Sequence, residues 1–395
     1  MNAAKASFSL IPNPRAKRGA GVFSRSFVGG LAVTDEALAD IRLWPGYSPT
    51  PLHSLDGLAH AIGVLELRYK DEGHRFGVES FKPLGGGYAV VRILARAVMN
   101  RTGAAAVSSE QLLGGGHGDV LAATTVACAT DGNHGRAVAW AARTFGCRAV
   151  VYLAAHVSRL REEAIRSFGA EVVRTNGNHD DAVRQGAGEA SREGWSFVSQ
   201  MATATDSRIP SDILVGYSAL FAELMEQWEA GAPTHVFVQC GVGGLAAAAA
   251  AYGELRWGRN RPTLVVVEAE NAASVFESIK AGRRESVTGS LDTVMGGLAA
   301  GEVSEVAWPL LEAGADFCMT IPDRAAIDTM RLLARNTPPV VGGEAGVAGL
   351  AAVLAVAQDE GARKQLGMDQ ESRILTIGTE GATDPEVYQE LVKEY

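Results

Sequence analysis

Residues 124–153 read TTVACATDGNHGRAVAWAARTFGCRAVVYL. The two ends of this stretch, residues 124–129 and 148–153, are short apolar runs of the kind that forms buried β-strands, whereas residues 134–145 carry apolar side chains at helical spacing. A strand, a helix and a second strand in this order predict a crossover connection between two parallel strands.

The same alternation continues on both sides of this stretch. Further strands are predicted at residues 65–69, 171–174, 196–199, 235–239, 263–268 and 373–377, and a helix at 88–101. A long helix-forming stretch at residues 213–231 separates two series of strands and helices, which favours two sheets over one. We therefore predict an α/β fold with two parallel-sheet, three-layer domains: a small domain at residues 95–212, and a large domain built from residues 1–94 and 213–395.

Composition and charge narrow the class of protein. The chain has 395 residues, of which 47% are hydrophobic and 21% charged, so it can bury the core of a globular protein. The formal net charge of −9 argues against nucleic acid as a partner. The four cysteines lie far apart without metal-type spacing, which predicts no metal site, reduced thiols and a cytoplasmic protein. The longest apolar stretch, residues 340–357, contains Glu344 and four glycines, which predicts a turn and a buried helix rather than a membrane span.

The first of four glycine-rich turns contains a lysine. Residues 80–87 read SFKPLGGG, and the apolar side chains of Phe81 and Leu84 would draw Lys82 towards an interior. Desolvation there makes an amine a better nucleophile. The alternative interpretation is a solvated lysine in a flexible turn.

The second turn, residues 130–135, reads TDGNHG and joins a predicted strand to a predicted helix. Asp131 or Asn133 either caps that helix, which is the commonest role of such residues at such a place, or faces a ligand.

The third and fourth turns also follow predicted strands. The third reads QCGVGGL at residues 239–245, and its glycine spacing suits a single phosphate at a helix N-terminus better than a dinucleotide. The candidate phosphate-binding residues are Gly241, Val242, Gly243, Gly244 and Leu245, with tight packing of helix on strand as the alternative. In the fourth turn, Thr379 ends the last strand, where its hydroxyl either donates to a ring nitrogen or closes a hydrogen-bonded turn.

Together and in this order, the four turns resemble those of pyridoxal-phosphate enzymes of fold type II, the group that contains the serine/threonine dehydratases and the tryptophan synthase β chain. More narrowly, the chain is similar to the 2,3-diaminopropionate ammonia-lyase family. Further matches are WPGYSPTPL at 44–52, KDEGHRFG at 70–77, MGGLA at 295–299, GEAG at 343–346 and TEGATD at 379–384. The resemblance implies a homodimer with pyridoxal 5'-phosphate in the cleft between the two domains, and a small amino acid as substrate.

Carried over to this chain, the resemblance assigns a role to each turn. Lys82 joins the cofactor aldehyde covalently, Asn133 contacts the hydroxyl oxygen of the pyridine ring, residues 241–245 hold the phosphate, and Thr379 faces the ring nitrogen. Asp131 is the base for the D-isomer of the substrate, and Lys82 is the base for the L-isomer. The implied reaction is an α,β-elimination that gives a 2-oxo acid, pyruvate, and ammonia.

The chain departs from the family at one substrate-binding position. The family has a second carboxylate where this sequence has Gln200, and an amide can neither act as a base nor pair ionically with a β-ammonium group. Asp206 is the other carboxylate that could take this role. The leaving group therefore stays open between the amino group of diaminopropionate and another group, as in serine/threonine dehydratases or β-replacement enzymes. A pyridoxal-phosphate-binding protein without turnover is the third possibility.

Overall fold

The structure is a computed structural model, and it describes residues 7–19, 30–202, 207–229 and 231–393. Asp206 therefore lies outside the described residues. The described chain forms two compact units: the first takes in residues 1–33, 50–74 and 221–395, and the second takes in residues 34–49 and 75–220.

The limits of the two units differ from the predicted domain boundaries at 94/95 and 212/213. The predicted boundary at 94/95 falls within the helix Tyr88–Thr102, which packs against Ser109–Leu113, Gly118–Ala123 and Asn133–Phe145. These contacts place it in the second unit.

The first unit contains a seven-stranded sheet in the order β1-β10-β9-β8-β11-β3-β2. Its strands are β1 Ser9–Pro12, β2 Leu52–Ser54, β3 Glu66–Asp71, β8 His235–Gln239, β9 Thr263–Ala269, β10 Phe317–Ile321 and β11 Arg373–Gly378. The five inner strands are parallel, and the two edge strands, β1 and β2, pair antiparallel with their neighbours.

The second unit contains a four-stranded parallel sheet in the order β6-β5-β4-β7. Its strands are β4 Thr125–Thr130, β5 Arg148–Leu153, β6 Glu171–Arg174 and β7 Ser196–Phe197. The prediction of an α/β fold with two largely parallel sheets is confirmed.

Sixteen α-helices, among the described residues, connect and cover the strands. They are α1 Gly30–Ile41, α2 Asp56–Ile62, α3 Tyr88–Thr102, α4 Ser109–Leu113, α5 Gly118–Ala123, α6 Asn133–Phe145, α7 Arg159–Arg166, α8 His179–Glu193, α9 Arg208–Gln227, α10 Gly244–Trp257, α11 Ser274–Ala281, α12 Trp308–Gly314, α13 Asp323–Ala334, α14 Ala348–Ala357, α15 Glu360–Leu366 and α16 Pro385–Val392. In the part of the chain that the structure describes, none of them has the length and apolar character that a bilayer crossing requires.

The core of the first unit lies where helix α14 packs on the sheet. Phe237 of β8 and Val265 of β9 are fully buried, and they share one apolar cluster with Leu350 and Val353 of α14. The apolar stretch 340–357 is thus a turn followed by a buried helix, as predicted.

The core of the second unit lies between its sheet and helix α8. Ala127, Val150 and Tyr152 of the sheet pack with Ala182 and Ala190 of the helix. In both units, the ends of the parallel strands carry the turns that the sequence singled out: β4 leads into residues 131–135, and β8 leads into residues 240–245. The carboxyl ends of parallel strands are where α/β proteins bind their ligands.

Candidate functional site

Lys82 precedes a single turn of π-helix. The π-helical turn, Pro83–Gly87, begins directly after Lys82 and continues without a break into α3. All five of its residues are buried, whereas Lys82 itself is partly exposed. Single π-helical turns occur frequently at functional sites, because they reorient a side chain within an otherwise regular segment.

The amine of Lys82 lies against two aromatic rings. Its Nζ is 4.8 Å from the ring centre of Phe81 and 5.9 Å from that of Tyr217, and the two ring centres are 4.7 Å apart. Rings at these distances attract an ammonium group and shield it from water on one side. The structure therefore favours the interpretation of Lys82 as a residue drawn towards the interior over that of a solvated lysine.

Gly216 allows Tyr217 to approach the lysine segment. Helix α9, which carries both residues, runs so close to the π-helical turn that a Cβ atom at Gly216 would lie 2.0 Å from the carbonyl oxygen of Leu84. Only glycine fits there without a shift of the helix.

Gln200 belongs to the same cluster. The hydroxyl of Tyr217 donates to its Oε1 at 3.4 Å, and burial raises the pKa of Tyr217 far above its ordinary value, so the hydroxyl stays neutral. The Nζ of Lys82 lies 5.9 Å from the ring centre of Tyr217, so Gln200 and Lys82 both lie against this tyrosine.

Thr130 accepts hydrogen bonds at the start of α6, where the sequence left Asp131 and Asn133 open between a helix cap and a ligand contact. Its Oγ1 accepts hydrogen bonds from the backbone N–H groups of Gly132 at 3.0 Å and Gly135 at 3.2 Å. The last residue of β4 thus caps the start of α6, which leaves the carboxylate of Asp131 to other partners.

The carboxylate of Asp131 pairs with a histidine. Its Oδ2 lies 3.0 Å from Nδ1 of His179, and its Oδ1 lies 3.8 Å from Nε2 of His156. Burial raises the pKa of Asp131, but the hydrogen bond and charge of His179, together with the charges of His156 and Arg161, outweigh burial and set the pKa below its ordinary value. The same contact raises the pKa of His179.

His134, next to Asn133 in the second turn, is held as a neutral imidazole. Its Nε2–H donates to the carbonyl of Val198 at 2.8 Å, so Nδ1 carries the lone pair, and this buried atom has no hydrogen-bond partner. Burial lowers the pKa of His134 to about 4.

In the first unit, the glycine loop after β8 leads directly into a helix N-terminus. Gly243 has a φ of +103°, and a Cβ atom there would lie 2.9 Å from a methyl carbon of Leu311. Helix α10 begins at the next residue, Gly244, and the N–H groups of its first turn have no acceptors within the helix, an arrangement that suits an anion.

Thr379 follows β11 in the same unit and is oriented by Gln239. The Nε2 of Gln239 lies 2.9 Å from Thr379 Oγ1 and 2.8 Å from each of the carbonyl oxygens of Ile377 and Gly346, and its two hydrogens are shared among these three acceptors. Because the Thr379 oxygen is the acceptor in this contact, its own hydrogen remains to donate to a ligand.

Two of the motifs that carry the resemblance form one structure. The carboxylate of Glu380 accepts from the N–H of Ala345 at 3.0 Å, and its backbone carbonyl accepts from the N–H of Gly343 at 2.9 Å. The turn at 343–346 and the turn at 379–384 therefore hold each other beside Thr379.

Sequence reasoning missed His179, Tyr217 and Gln239. Gln239 carried a usable signal, since it is a polar residue at the end of a buried strand. His179 and Tyr217 carried none, because only the packing of helices α8 and α9 brings them to Asp131 and Lys82.

Comparison with known proteins decides the family. The model of a family described as pyridoxal-phosphate dependent enzyme matches residues 43–379. The chain belongs to this family. The diaminopropionate ammonia-lyase of Salmonella typhimurium is 34% identical over 375 residues, which cover 91% of this chain and 92% of that protein. The Escherichia coli K12 protein of the same name is 36% identical over 357 residues, which cover 88% of each chain.

Solved structures agree with this assignment. Escherichia coli diaminopropionate ammonia-lyase in complex with an aminoacrylate–PLP azomethine reaction intermediate matches with a TM-score of 0.85 and 30% identity, over 98% of this chain and 97% of that one. Its complex with D-serine matches with a TM-score of 0.86 and 31% identity, with the same coverage. The predicted family, fold type II architecture and cofactor are thereby confirmed, and the chain is a pyridoxal-phosphate-dependent ammonia-lyase.

The residues present fit the cofactor. The amine of Lys82 suits an aldehyde, the glycine-rich loop at the start of α10 suits a phosphate, and the donor hydroxyl of Thr379 suits a ring nitrogen. These are the three kinds of group through which a protein binds pyridoxal phosphate.

Proposed function

We propose that the enzyme removes the β-amino group of 2,3-diaminopropionate, or the β-substituent of a closely related 2-amino acid, and releases a 2-oxo acid and ammonia. The observation that carries this proposal is the match to proteins named diaminopropionate ammonia-lyase over about nine-tenths of both chains.

Each of the four glycine-rich turns has a part in binding the cofactor under this proposal. Lys82 forms the covalent bond to the aldehyde, residues 241–245 bind the phosphate, Asn133 contacts the ring hydroxyl, and Thr379 donates to the ring nitrogen. When bound, pyridoxal phosphate supplies a conjugated ring that stabilises negative charge at the Cα of the substrate. Gln239 orients Thr379, and this neutral hydroxyl, unlike a carboxylate, leaves the ring a weak electron acceptor, which favours elimination over transamination.

Two side chains of the second unit serve as bases. Once the amino group of the substrate has replaced it on the aldehyde, the free amine of Lys82 would take the Cα proton from the L-isomer, and the carboxylate of Asp131 would take it from the D-isomer. Amines and carboxylates are both ordinary general bases. The aromatic rings of Phe81 and Tyr217 exclude water from one side of the Lys82 amine.

A second candidate reaction follows from Gln200. Its uncharged amide accepts a hydrogen bond from Tyr217, the residue that also contacts Lys82, and it offers no charge to pair with a β-ammonium group. This arrangement favours elimination or replacement of a hydroxyl or substituted amine at Cβ.

An assay of purified enzyme with both isomers of diaminopropionate, serine and threonine, and with Cβ-substituted alanines, separates these reactions. We expect 2-oxo acid from diaminopropionate with two ammonia molecules for each, and no product with Lys82→Ala. Turnover of serine without turnover of diaminopropionate would select the second candidate. A protein that binds the cofactor but turns over none of these compounds would be a binding protein.

We also propose that the enzyme is a cytoplasmic homodimer. The family resemblance supports the dimer, and the four free cysteines suit a reducing compartment. Light scattering on the purified protein should give twice the chain mass of 41.4 kDa.

A further inference from the structure

Two imidazoles flank the carboxylate of Asp131 in the second unit. The contact from Oδ2 to Nδ1 of His179, at 3.0 Å, is the shorter, and that from Oδ1 to Nε2 of His156 is 3.8 Å. Arg161 donates from Nη1 to the backbone carbonyl of Asp131 at 3.4 Å, so it approaches the main chain of this residue. The closest titratable neighbour of the carboxylate is therefore His179.

The start of helix α8 fixes His179 at this distance. Asn178 and Asp181 form a capping box: the Asn178 side chain accepts from the N–H of Asp181 at 3.1 Å, and the Asp181 carboxylate accepts from the N–H of Asn178 at 3.0 Å. His179 is the first residue of the capped helix, and its side chain is 45% exposed. Its imidazole can therefore exchange protons with solvent while it stays beside Asp131.

The charges around this pair come from several elements. Asp131 faces His156, His179 and Arg161, whereas His179 faces Asp131, Asp180 on its own helix and His134 on α6. Of these groups, His179 is the one that contacts the carboxylate at hydrogen-bonding distance, and imidazole is the side chain whose ordinary pKa lies within the physiological pH range.

We propose that His179 is a positioning residue that sets the basicity of Asp131 through its own charge, and thereby makes the preference for the D- or L-isomer depend on pH. Cationic His179 stabilises the carboxylate and weakens it as a base, whereas neutral His179 leaves it a stronger base. The L-isomer, which uses Lys82, does not depend on this pair. This inference rests on the proposed function, in which Asp131 serves the D-isomer and Lys82 the L-isomer.

The first test compares the two isomers in the same enzyme. We expect the ratio of kcat/KM for D- over L-diaminopropionate to rise about tenfold between about pH 6 and about pH 9, which is the size of effect that a neighbouring charge has on a carboxylate. His179→Asn, which keeps a neutral donor, should hold the ratio at its high-pH value throughout. His179→Lys, which keeps a charge, should hold it at the low-pH value, and His156→Asn should leave most of the pH dependence in place.

A second test does not need catalysis. In NMR titrations of histidine-labelled protein, with the His179 signal assigned from its loss in His179→Asn, we expect His179 to titrate above an ordinary histidine and to lose this elevation in Asp131→Asn. An unchanged titration in Asp131→Asn, or a D/L ratio that does not vary with pH in the parent enzyme, would overturn the inference. Loss of D-isomer turnover at every pH in both His179 variants would show a purely structural role and would also overturn it. If neither isomer reacts in the parent, the proposed function fails, but the titration still tests the pairing.

Discussion

His134 shows how a neighbour fixes the chemistry of a single side chain. The carbonyl of Val198 accepts from its Nε2–H, which leaves the buried Nδ1 unprotonated. The imidazole lies beside the residues proposed to contact the cofactor, and protonation would place an uncompensated charge there.

Acid should therefore destabilise the second unit through His134. Its pKa is about 4 in the folded protein, against about 6.5 in an unfolded chain, so between these values the unfolded chain binds the proton and the folded one does not. The stability that the neutral imidazole of His134 contributes is fully present above about pH 6.5. As the pH falls from there to about 4, about 3 kcal/mol of unfolding free energy is lost. Urea unfolding at a series of pH values, with His134→Gln as control, checks this, since only the parent should show the additional acid loss. An equal decrease of unfolding free energy with falling pH in the two proteins would contradict this expectation.

At the level of single residues, the sequence revealed reactive side chains more readily than the residues that contact them. Lys82, Asp131 and Thr379 could be singled out because their reactive side chains stood in glycine-rich turns, two of which follow strands. His179 could not, because it lies far along the chain from Asp131 and only the docking of α8 joins them. Lys70 was quoted only as part of a resemblance, and the structure places its buried amine 2.6 Å from Glu223, in an ion pair of the first unit.

At the level of elements, close approaches of backbone shape both parts of the site. The glycine loop before α10 requires a positive φ at Gly243, and helix α9 requires the absence of a side chain at Gly216. Each requirement gives a prediction that one added methyl group can test.

Gly243→Ala should weaken cofactor binding by about tenfold or more. An alanine at this positive φ costs about 1–2 kcal/mol more than glycine. Its Cβ would also lie 2.9 Å from Leu311, so the loop must move. Gly258→Ala is the matched control, because Gly258 also has a positive φ but has open space around it. Titration of cofactor-free protein with pyridoxal phosphate, followed by absorbance, measures both affinities. Equal affinities in the two variants would count against a phosphate site at this loop.

Gly216→Ala should lower turnover by displacing Tyr217 from Lys82. The new Cβ would lie 2.0 Å from the carbonyl oxygen of Leu84, so helix α9 or the π-helical turn must shift. Gly188→Ala in helix α8, where nothing lies within 4 Å, serves as control and should stabilise the protein by about 0.5–1 kcal/mol. Steady-state assays and thermal unfolding of both variants provide the comparison. Full activity in Gly216→Ala would show that the contact of Tyr217 with the lysine segment is not needed.

The elements that the sequence failed to predict are those that depend on their partners. The edge strands β1 and β2 have four and three residues, and they exist as strands only through antiparallel pairing with β10 and β3. Strand β10, FCMTI, has five residues and was not predicted either; its parallel pairing with β9 determines it. Strands β8, β9 and β11 were predictable because each is a short run rich in β-branched residues.

At the level of the whole molecule, the two-sheet organisation followed from the alternation of strands and helices, whereas the limits of the two units did not. The chain passes between the units at residues 33/34, 49/50, 74/75 and 220/221. Two of these passages lie in the first 51 residues, for which neither a helix nor a strand was predicted. The structure instead places helix α1 there, with Ala37, Leu38 and Ile41 buried. Contacts between residues that lie far apart in the chain determine such boundaries, and a local sequence pattern does not reveal these contacts.

The central claim is that Lys82 is the residue covalently joined to the cofactor. Borohydride reduces the carbon–nitrogen double bond between a lysine and the cofactor aldehyde and makes the attachment permanent, so peptide mapping by mass spectrometry can locate it. We predict that the reduced cofactor is found on the peptide containing Lys82 and on no peptide in Lys82→Ala. Recovery of that peptide unmodified, with the cofactor on another lysine or on none, would contradict the account.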